Sequence, residues 1–160
     1  MANVTEGMIA PDFTLPRDGG GIVSLSDFKG KSVVLFFYPK DNTSSCTTES
    51  IAFSGLLSEF STAGAVVLGM SPDSVKRHDK FAKKYDLSVI LASNEDLTVL
   101  NSYGVWVEKS MYGHKYMGVE RTTLLIGPDG VIRRIWPKVK VAGHAEEVLA
   151  AAKSLAGGPA

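Results

Sequence analysis

Apolar residues recur along this chain with two different spacings, which predict where its strands and helices lie. Two continuous apolar runs, residues 32–38 and 65–70, are typical of strands that are buried on both faces. Between them, apolar residues follow the i, i+3, i+4, i+7 spacing of an amphipathic helix that ends at Gly64. The apolar face of this predicted helix consists of Phe53, Leu56, Leu57 and Phe60. This part of the chain is therefore predicted to alternate strand, helix and strand.

The same alternation continues to the end of the chain, where turn residues also join paired strands. The remaining predicted elements are a hairpin over residues 13–24, a helix opening at Pro72 and Asp73, a strand at 89–91, a helix at 95–103, a hairpin over 120–136 and a helix at 145–155. Strands that alternate with helices pair in parallel, and the late hairpin adds antiparallel edges. The pattern therefore predicts an α/β fold of thioredoxin-like type, with a central mixed β-sheet flanked by helices and an N-terminal β-hairpin.

Length, charge and hydropathy narrow the class of protein. The 160 residues fit one domain spanning 1–160, in which residues 156–160 are expected to form a frayed tail. Lys and Arg together number 17, as do Asp and Glu, so the bulk positive charge typical of nucleic-acid binders is missing. The longest obvious apolar run is far shorter than the ~20 residues that span a bilayer, and no secretory signal is visible. We therefore expect a cytoplasmic protein that binds neither nucleic acid nor membrane.

The chain has one cysteine, Cys46, and this count limits its chemistry. A single cysteine excludes a disulfide framework within the chain and any zinc site that needs two of its cysteines. The three histidines lack ligand spacing, and the segment around Gly30 departs from a phosphate-binding loop because Leu25 replaces its first glycine. We therefore expect no cofactor and no metal. Three interpretations of Cys46 stay open: an inert buried thiol, an intermolecular link or a reactive nucleophile.

Cys46 lies in a polar segment that joins the end of a predicted buried strand to the start of a predicted helix. Ligands of open α/β sheets bind at the carboxyl ends of strands, and the free N–H groups of a first helical turn stabilise a thiolate. Thr43 is spaced to direct its hydroxyl at the sulfur or at an incoming oxygen, and Glu49, one helical turn after Cys46, could orient a cation. Pro39 lacks an N–H and would shield the site from water. The alternative is that Cys46 is a small core residue and Thr43 a helix cap.

The spacing Pro39-x-x-x-Thr43-x-x-Cys46 matches the active-site motif of the peroxiredoxins. The longer segment at residues 38–49, YPKDNTSSCTTE, resembles that of the peroxiredoxin Q, or bacterioferritin comigratory protein, subfamily. This resemblance covers nearly the whole chain. The other matching segments are APDFTLP at residues 10–16, Gly104-Val105-Trp106, Glu108-Lys109-Ser110, Gly118-Val119-Glu120-Arg121 and the turn at 127–130.

The resemblance implies a thiol peroxidase that reduces hydrogen peroxide and organic hydroperoxides without metal, flavin or haem. It implies that Cys46 is the peroxidatic cysteine, whose thiolate attacks the O–O bond and becomes a sulfenic acid. Thr43 would hydrogen-bond the peroxide, and Pro39 would shield the thiolate. Arg121 would hold the thiolate and stabilise the charge that develops on the oxygens, and Glu49 would orient Arg121.

The chain departs from the subfamily pattern at two places. Ser44-Ser45 replaces the Pro-Gly pair before the cysteine. Members with a second, resolving cysteine carry it where this chain has Ile51, or near Ala82, and neither position is a cysteine here. A sulfenic acid on Cys46 therefore has no partner for a disulfide within the chain, and we expect an external thiol to reduce it. Thioredoxin, glutaredoxin and glutathione are the candidate reductants, and a transient Cys46–Cys46 link between two chains stays open.

Two other functions are compatible with the same residues. A thioredoxin-fold sensor or binding module would form the same sulfenic acid at Cys46 and pass it to a partner as a mixed disulfide, without efficient turnover. A structural or chaperone-like protein would keep Cys46 inert. We expect a monomer or a weak homodimer, with Trp106 and Tyr112 in core or loop packing rather than in an interface.

Overall fold

The computed structural model describes residues 4–157, in which strands and helices alternate. The strands are β1 (Thr14–Pro16), β2 (Ile22–Ser24), β3 (Ser32–Phe37), β4 (Ala65–Ser71), β5 (Ile90–Ser93), β6 (Trp106–Met111), β7 (His114–Val119), β8 (Thr122–Ile126) and β9 (Ile132–Trp136). The helices are α1 (Ser44–Gly55), α2 (Leu57–Thr62), α3 (Val75–Tyr85), α4 (Thr98–Ser102) and α5 (His144–Gly157). A short 3-10 helix, Leu25–Phe28, follows β2.

β3 is the middle strand of a five-stranded sheet with the order β5-β4-β3-β8-β9. β4 pairs in parallel with β3, and β5 in parallel with β4. β8 pairs antiparallel with β3, and β9 antiparallel with β8. Every residue of β3 is buried, because the sheet is covered on both faces. The predicted central mixed sheet is confirmed.

Alternate side chains of β3 enter two separate hydrophobic cores. Val33, Leu35 and Phe37 join the core that the β1–β2 hairpin and α4 cover. Val34 and Phe36 join the core that α1, α3 and α5 cover. Helices therefore flank both faces of the sheet, and the predicted N-terminal hairpin covers part of one face.

The helix predicted from the apolar residues at 53–60 is in fact two helices, α1 and α2. The break lies at Leu56, whose φ of −104° and ψ of 6° depart from helical values. The N–H of Leu56 bonds to the carbonyl of Phe53 at 3.2 Å, which tightens the last turn of α1. Gly64, with a φ of 75°, follows α2 and is the predicted stop signal. The helix that carries Cys46 is thus shorter than its apolar pattern predicts.

The hairpin β6–β7 was not predicted and lies outside the central sheet. Its two-residue turn, Tyr112-Gly113, has φ values of 52° and 80°, the positive values that a tight hairpin turn requires. Most of its residues are exposed, so the strands lack the apolar alternation that signals a half-buried strand. The expectation that Tyr112 packs in the core or a loop is wrong, because this side chain at the turn is 96% exposed. Trp106 does pack against the core, at the base of the hairpin.

Two helices in the second half of the chain, α4 and α5, have boundaries that differ from those predicted. α4 begins three residues later than the helix predicted at 95–103, because Leu97 adopts a left-handed φ of 67°. α5 continues through Gly157, so the first two residues of the predicted frayed tail are helical, and residues 158–160 lie outside the described residues. None of the helices within residues 4–157 has the length and hydropathy needed to cross a membrane.

Candidate active site

Cys46 lies in the first turn of α1, just after the loop that leaves β3. Thr43 is the N-cap residue, with an extended backbone (φ −94°, ψ 156°), so Cys46 is the third residue of the helix. Its N–H is one of the groups that have no partner within a helix at its N-terminus. The Cys46 side chain is only 1% exposed and packs in the core that α1 covers. The sulfur is therefore buried, and its place at the positive end of a helix is the one that the sequence predicts.

Arg121 brings a guanidinium group to this sulfur from a distant part of the chain. It directly precedes β8, whose first residue, Thr122, pairs with Phe37 at the end of β3. This register places Arg121 beside the loop that leads to Cys46. Nη2 of Arg121 donates a hydrogen bond to Sγ of Cys46 at 3.0 Å.

Glu49 completes an array with Cys46 and Arg121. It lies one turn after Cys46 on α1, so the two side chains share a face of the helix. Nη1 of Arg121 donates to Oε1 of Glu49 at 2.5 Å. Oε2 of Glu49 is buried and has no hydrogen-bond partner among the described residues. Arg121 thus holds the sulfur and the carboxyl group with two different nitrogens of one planar group.

Burial decides the charges of this array. It raises the pKa of Glu49 to about 7, although the guanidinium of Arg121 acts in the opposite direction. Burial also disfavours the charge of Arg121, but Glu49 and Cys46 outweigh it and raise the pKa of Arg121 above its usual value. Arg121 is therefore a permanent cation, whereas Glu49 changes its charge near neutral pH.

The two other predicted site residues lie in the loop before α1. The hydroxyl of Thr43 donates to the carbonyl of Lys40 at 2.8 Å, and within the described residues it bonds neither Cys46 nor the first turn of α1. A hydroxyl that donates one bond keeps lone pairs with which to accept another. Pro39 is half-buried beside the end of β3. The peroxide-binding role of Thr43 and the shielding role of Pro39 stay predictions.

Two further ionisable residues, Lys109 and His144, lie near the array of Cys46, Arg121 and Glu49. The sequence did not predict that they belong to this site. Lys109 on β6 interacts electrostatically with Arg121 and Cys46, and its pKa is lowered mainly by burial and then by Arg121. His144 at the start of α5 places Nε2 2.9 Å from Oγ1 of Thr123, and burial is the main cause that lowers its pKa. Lys109 falls in one of the segments that resemble the subfamily, but its position follows from a hairpin that the pattern did not predict.

Comparison with known sequences places the chain in a family. Residues 7–135 match the AhpC/TSA family. A putative peroxiredoxin bcp of Coxiella burnetii is 53% identical over 92% of this chain and 97% of its own length. The peroxiredoxin Bcp proteins of Bacillus subtilis and Escherichia coli are 42% and 40% identical, over 93% and 89% of this chain and 95% and 92% of their own.

Solved structures of related proteins also match this chain. Peroxiredoxin Q of Xanthomonas campestris is 46% identical and superposes with a TM-score of 0.86, covering 90% of this chain and 91% of its own. A second structure from that organism, whose description refers to alkyl peroxide reduction by bacterioferritin comigratory protein, is 45% identical with the same TM-score, over 90% of this chain and 92% of its own. Two further structures of the Xanthomonas protein are cysteine-to-serine variants at different positions. That protein therefore has at least two cysteines, whereas this chain has one.

These matches confirm both the thioredoxin-like α/β fold and the family resemblance predicted from the motif around Cys46. They extend over nearly the whole chain rather than over the motif alone. The chain belongs to the AhpC/TSA family and, within it, to the Bcp or peroxiredoxin Q group of thiol-dependent peroxidases.

Proposed function

We propose that this chain reduces peroxides through Cys46, with Arg121 as the residue that holds the reacting thiolate. The thiolate attacks one peroxide oxygen, so an S–O bond forms while the O–O bond breaks. The electron pair leaves on the second oxygen, which takes up a proton to give water or an alcohol, and Cys46 becomes a sulfenic acid. The observation that carries this proposal is the contact of Arg121 with the buried Cys46 sulfur, because the guanidinium acts where negative charge passes from sulfur to oxygen.

The other predicted site residues have supporting roles in this proposal. Thr43 accepts a hydrogen bond from the bound peroxide, because its exposed hydroxyl at the N-cap of α1 donates its own proton to Lys40 and keeps free lone pairs. Glu49 orients Arg121 through the Nη1–Oε1 contact. Pro39 limits access of water to the thiolate from the loop side. Hydrogen peroxide and organic hydroperoxides are the proposed substrates, and the alkyl peroxide reduction described for the Xanthomonas relative supports the second class.

The second half of the proposed cycle needs a thiol from another molecule. Positions 51 and 82 are Ile51 and Ala82, so the chain has no cysteine to resolve the sulfenic acid of Cys46. An incoming thiol condenses with the sulfenic acid, releasing water and leaving a mixed disulfide. A second thiol then attacks that disulfide and restores the Cys46 thiol. Thioredoxin, glutaredoxin and glutathione are the proposed reductants.

We also propose a compartment and an oligomeric state for this chain. Cys46 must return to the thiol form after each turnover, which favours a thiol-reducing compartment such as the cytoplasm. A monomer or weak homodimer suffices, because Cys46, Glu49 and Arg121 all come from one chain.

One experiment tests the peroxidase proposal. One equivalent of hydrogen peroxide is added to the reduced protein, and the mass of the Cys46 peptide is followed with and without each reductant. We expect rapid addition of one oxygen atom to Cys46, reversed by at least one reductant, and no addition in a Cys46→Ser variant. A Cys46 peptide that stays unmodified on the time scale of seconds would refute the proposal.

The same assay separates a peroxidase from a sensor module. The lone cysteine is the observation that favours a sensor, because a sulfenic acid without an internal partner persists until another protein meets it. A peroxidase consumes many equivalents of peroxide per chain while reductant lasts. A sensor forms one mixed disulfide per chain and then stops.

A further inference from the structure

A buried cluster of ionisable side chains lies against the active-site loop (residues 38–43), and the peroxidase mechanism does not use it. Its members are Tyr38, Asp41, Asp73 and His78, each at most 8% exposed. Asp41 belongs to the loop, Asp73 follows β4, and His78 lies on α3. The cluster therefore connects the loop before Cys46 to the neighbouring parts of the sheet and its helices.

Asp41 is the centre of this cluster. Its Oδ1 accepts a hydrogen bond from the hydroxyl of Tyr38 at 2.6 Å, and its Oδ2 lies 2.6 Å from Nδ1 of His78. Its backbone N–H donates to Oδ2 of Asp73 at 2.7 Å. Asp73 in turn accepts from Ser71 Oγ at 2.7 Å and from Arg77 Nε at 2.9 Å. The side chain of Asp41 is thus held by Tyr38, the first residue of the loop, and by His78 on α3. Its backbone is held by Asp73, which lies outside the loop.

The surroundings of His78 define its charge. Nε2 lies 3.0 Å from the carbonyl oxygen of Ala92, which can only accept, so Nε2 carries a proton. Nδ1 faces the Asp41 carboxyl group, whose other oxygen accepts from Tyr38, an arrangement that suits an ionised carboxylate. Nδ1 therefore carries a proton as well. A ring with both nitrogens protonated is an imidazolium, so His78 and Asp41 form a buried ion pair.

A metal site is the competing interpretation of these side chains. Ligand atoms of Asp41, Asp73 and His78 lie within 4.8 Å of one another. However, Arg77 and Ser71 already donate to Asp73, and a metal would have to displace a guanidinium that carries its own positive charge. Nε2 of His78 also donates to a carbonyl rather than facing the carboxylates. The contacts fit an ion-pair network and leave no lone pair of His78 for a metal.

We propose that His78 is a positioning residue, held as a buried imidazolium, which pairs with Asp41 to fix the active-site loop in the geometry that binds peroxide. This inference rests on the proposed function of Cys46. Asp41 lies between Lys40 and Thr43, and the Thr43 hydroxyl donates to the Lys40 carbonyl. Holding Asp41 therefore holds the hydroxyl that meets the substrate. A displacement of about 1 Å in a positioned group can slow a reaction about 100-fold.

The ion pair also has a pH dependence. The charged and titratable groups that face His78 are Asp41, Tyr38 and Asp73, with Arg77 beyond Asp73. Burial lowers the pKa of His78, but the hydrogen bond and charge of Asp41 outweigh burial, so the pKa lies above its usual value. The stability that a raised histidine pKa contributes is complete below the unfolded pKa and is lost as pH rises through the folded pKa. We therefore expect the loop to loosen on the alkaline side.

Nuclear magnetic resonance of the histidine rings tests the charge of His78 in the unmodified protein. With ring nitrogens labelled, we expect both nitrogens of His78 to stay protonated at a pH above the ordinary histidine pKa of about 6.5. His114, which is exposed on β7, is the reference ring in the same spectra. A His78 ring that loses its second proton at or below the ordinary histidine pKa would overturn the proposal, whatever the activity of any variant.

Kinetics of an Asp41→Asn variant test the positioning role. We expect the rate constant for oxidation of Cys46 by hydrogen peroxide to fall about 10- to 100-fold. The thiolate fraction of Cys46, followed by ultraviolet absorbance, should stay unchanged because Asp41 does not contact the sulfur. Val23→Ala, a change on β2 in the hydrophobic core that does not contain Cys46, controls for a general loss of stability and should keep the normal rate.

The outcomes separate this inference from the peroxidase proposal. A folded Asp41→Asn protein that is oxidised at the normal rate overturns the positioning role, and so does a loss of rate equal to that of Val23→Ala. Failure of the unmodified protein to oxidise at Cys46 refutes the peroxidase proposal instead. In that case the histidine resonances still decide whether the buried ion pair exists.

Discussion

Arg121 shares one positive charge between the sulfur of Cys46 and the carboxyl group of Glu49. Two separate nitrogens make these contacts, so the planar guanidinium fixes the direction of its charge as well as its distance. A lysine at this position has one nitrogen at the end of a mobile stem and cannot reproduce that geometry. The reactivity of Cys46 is therefore expected to depend on the shape of Arg121 as well as on its charge.

Replacing Arg121 with Ala should slow oxidation of Cys46 by hydrogen peroxide about 100- to 1,000-fold, the usual cost of removing one donor that stabilises developing charge. Arg121→Lys should recover only part of this loss. The rate is measured by stopped-flow mixing. Arg133→Ala, which removes an exposed arginine on β9, is the matched control and should react normally. An Arg121→Ala rate within twofold of the unmodified rate would exclude Arg121 from the site.

Glu49 should make folding stability depend on pH in an unusual direction. Burial raises its pKa to about 7 in the folded protein, so the folded state binds more protons than the unfolded state between the ordinary carboxyl pKa and about 7. Stability should therefore fall as pH rises through this window, by about 3 kcal/mol at most, and level off above it. Urea unfolding of the unmodified protein and of Glu49→Gln, compared at several pH values, isolates the effect. A difference between the two that stays constant with pH would contradict the raised pKa.

At the scale of elements, the position of α1 depends on a close contact within the sheet. Gly69 of β4 pairs with Phe36 of β3, and the ring of Phe36 covers the place where a Cβ on Gly69 would lie. The same ring stacks on Phe53 of α1, with ring centroids 4.7 Å apart. The helix that carries Cys46 therefore rests on the sheet through Phe36. A residue larger than glycine at position 69 would push on that support.

Gly69→Ala should destabilise the protein by about 1–3 kcal/mol, because its Cβ would lie 2.7 Å from the Phe36 ring. Thermal or urea unfolding measures the loss. Gly55→Ala, near the end of α1 where nothing lies within 4 Å of the added Cβ, is the control and should be neutral or stabilising by up to about 1 kcal/mol. Equal stability of the two variants would show that the Phe36 contact relaxes without cost.

Burial decides how well each element of this fold can be predicted from the sequence. β3 and β4 are buried on both faces, so their continuous apolar runs predict them well. The hairpin β6–β7 is exposed on both faces and carries no such signal, and its turn uses Tyr112 where an Asn or Asp would have marked it. The break at Leu56 depends on local backbone angles that an apolar stripe does not encode. The buried strands could therefore be predicted from the sequence, whereas the exposed hairpin and the break at Leu56 could not.

At the scale of the whole molecule, the site combines residues that are far apart in the chain. The strand–loop–helix pattern alone predicts that Cys46 lies at a helix N-terminus. The contact of Arg121 with Cys46 depends on the antiparallel register of β8 with β3, and only the family resemblance pointed to it beforehand. The resemblance did not indicate the ion pair of Asp41 and His78. That pair joins a loop to a helix across the fold, and no local spacing signals it.

The absence of a resolving cysteine should make the whole protein sensitive to excess peroxide. Without added thiol, Cys46 is expected to pass from sulfenic to sulfinic acid. Ala82→Cys places a thiol on α3 against the core that contains Cys46, and should form an internal disulfide and reduce this overoxidation. Mass spectrometry of protein treated with excess peroxide measures both products, with Ala82→Ser as the control. Equal overoxidation of the two variants would show that position 82 cannot reach Cys46.

The separation of Cys46 and Arg121 by 75 residues also has a consequence during synthesis. Chains emerge from the ribosome from the N-terminus and domains fold as units, so the thiol is exposed to the cell well before the guanidinium is made. A nascent chain that ends after α4 already contains β3, β4, β5 and Cys46, but it lacks the strand that delivers Arg121. Until β8 docks on β3, Cys46 lacks the guanidinium contact that the proposed reaction uses. If Arg121 holds the thiolate as proposed, full reactivity of Cys46 with peroxide should therefore appear only after β8 has docked on β3, when most of the chain has been made.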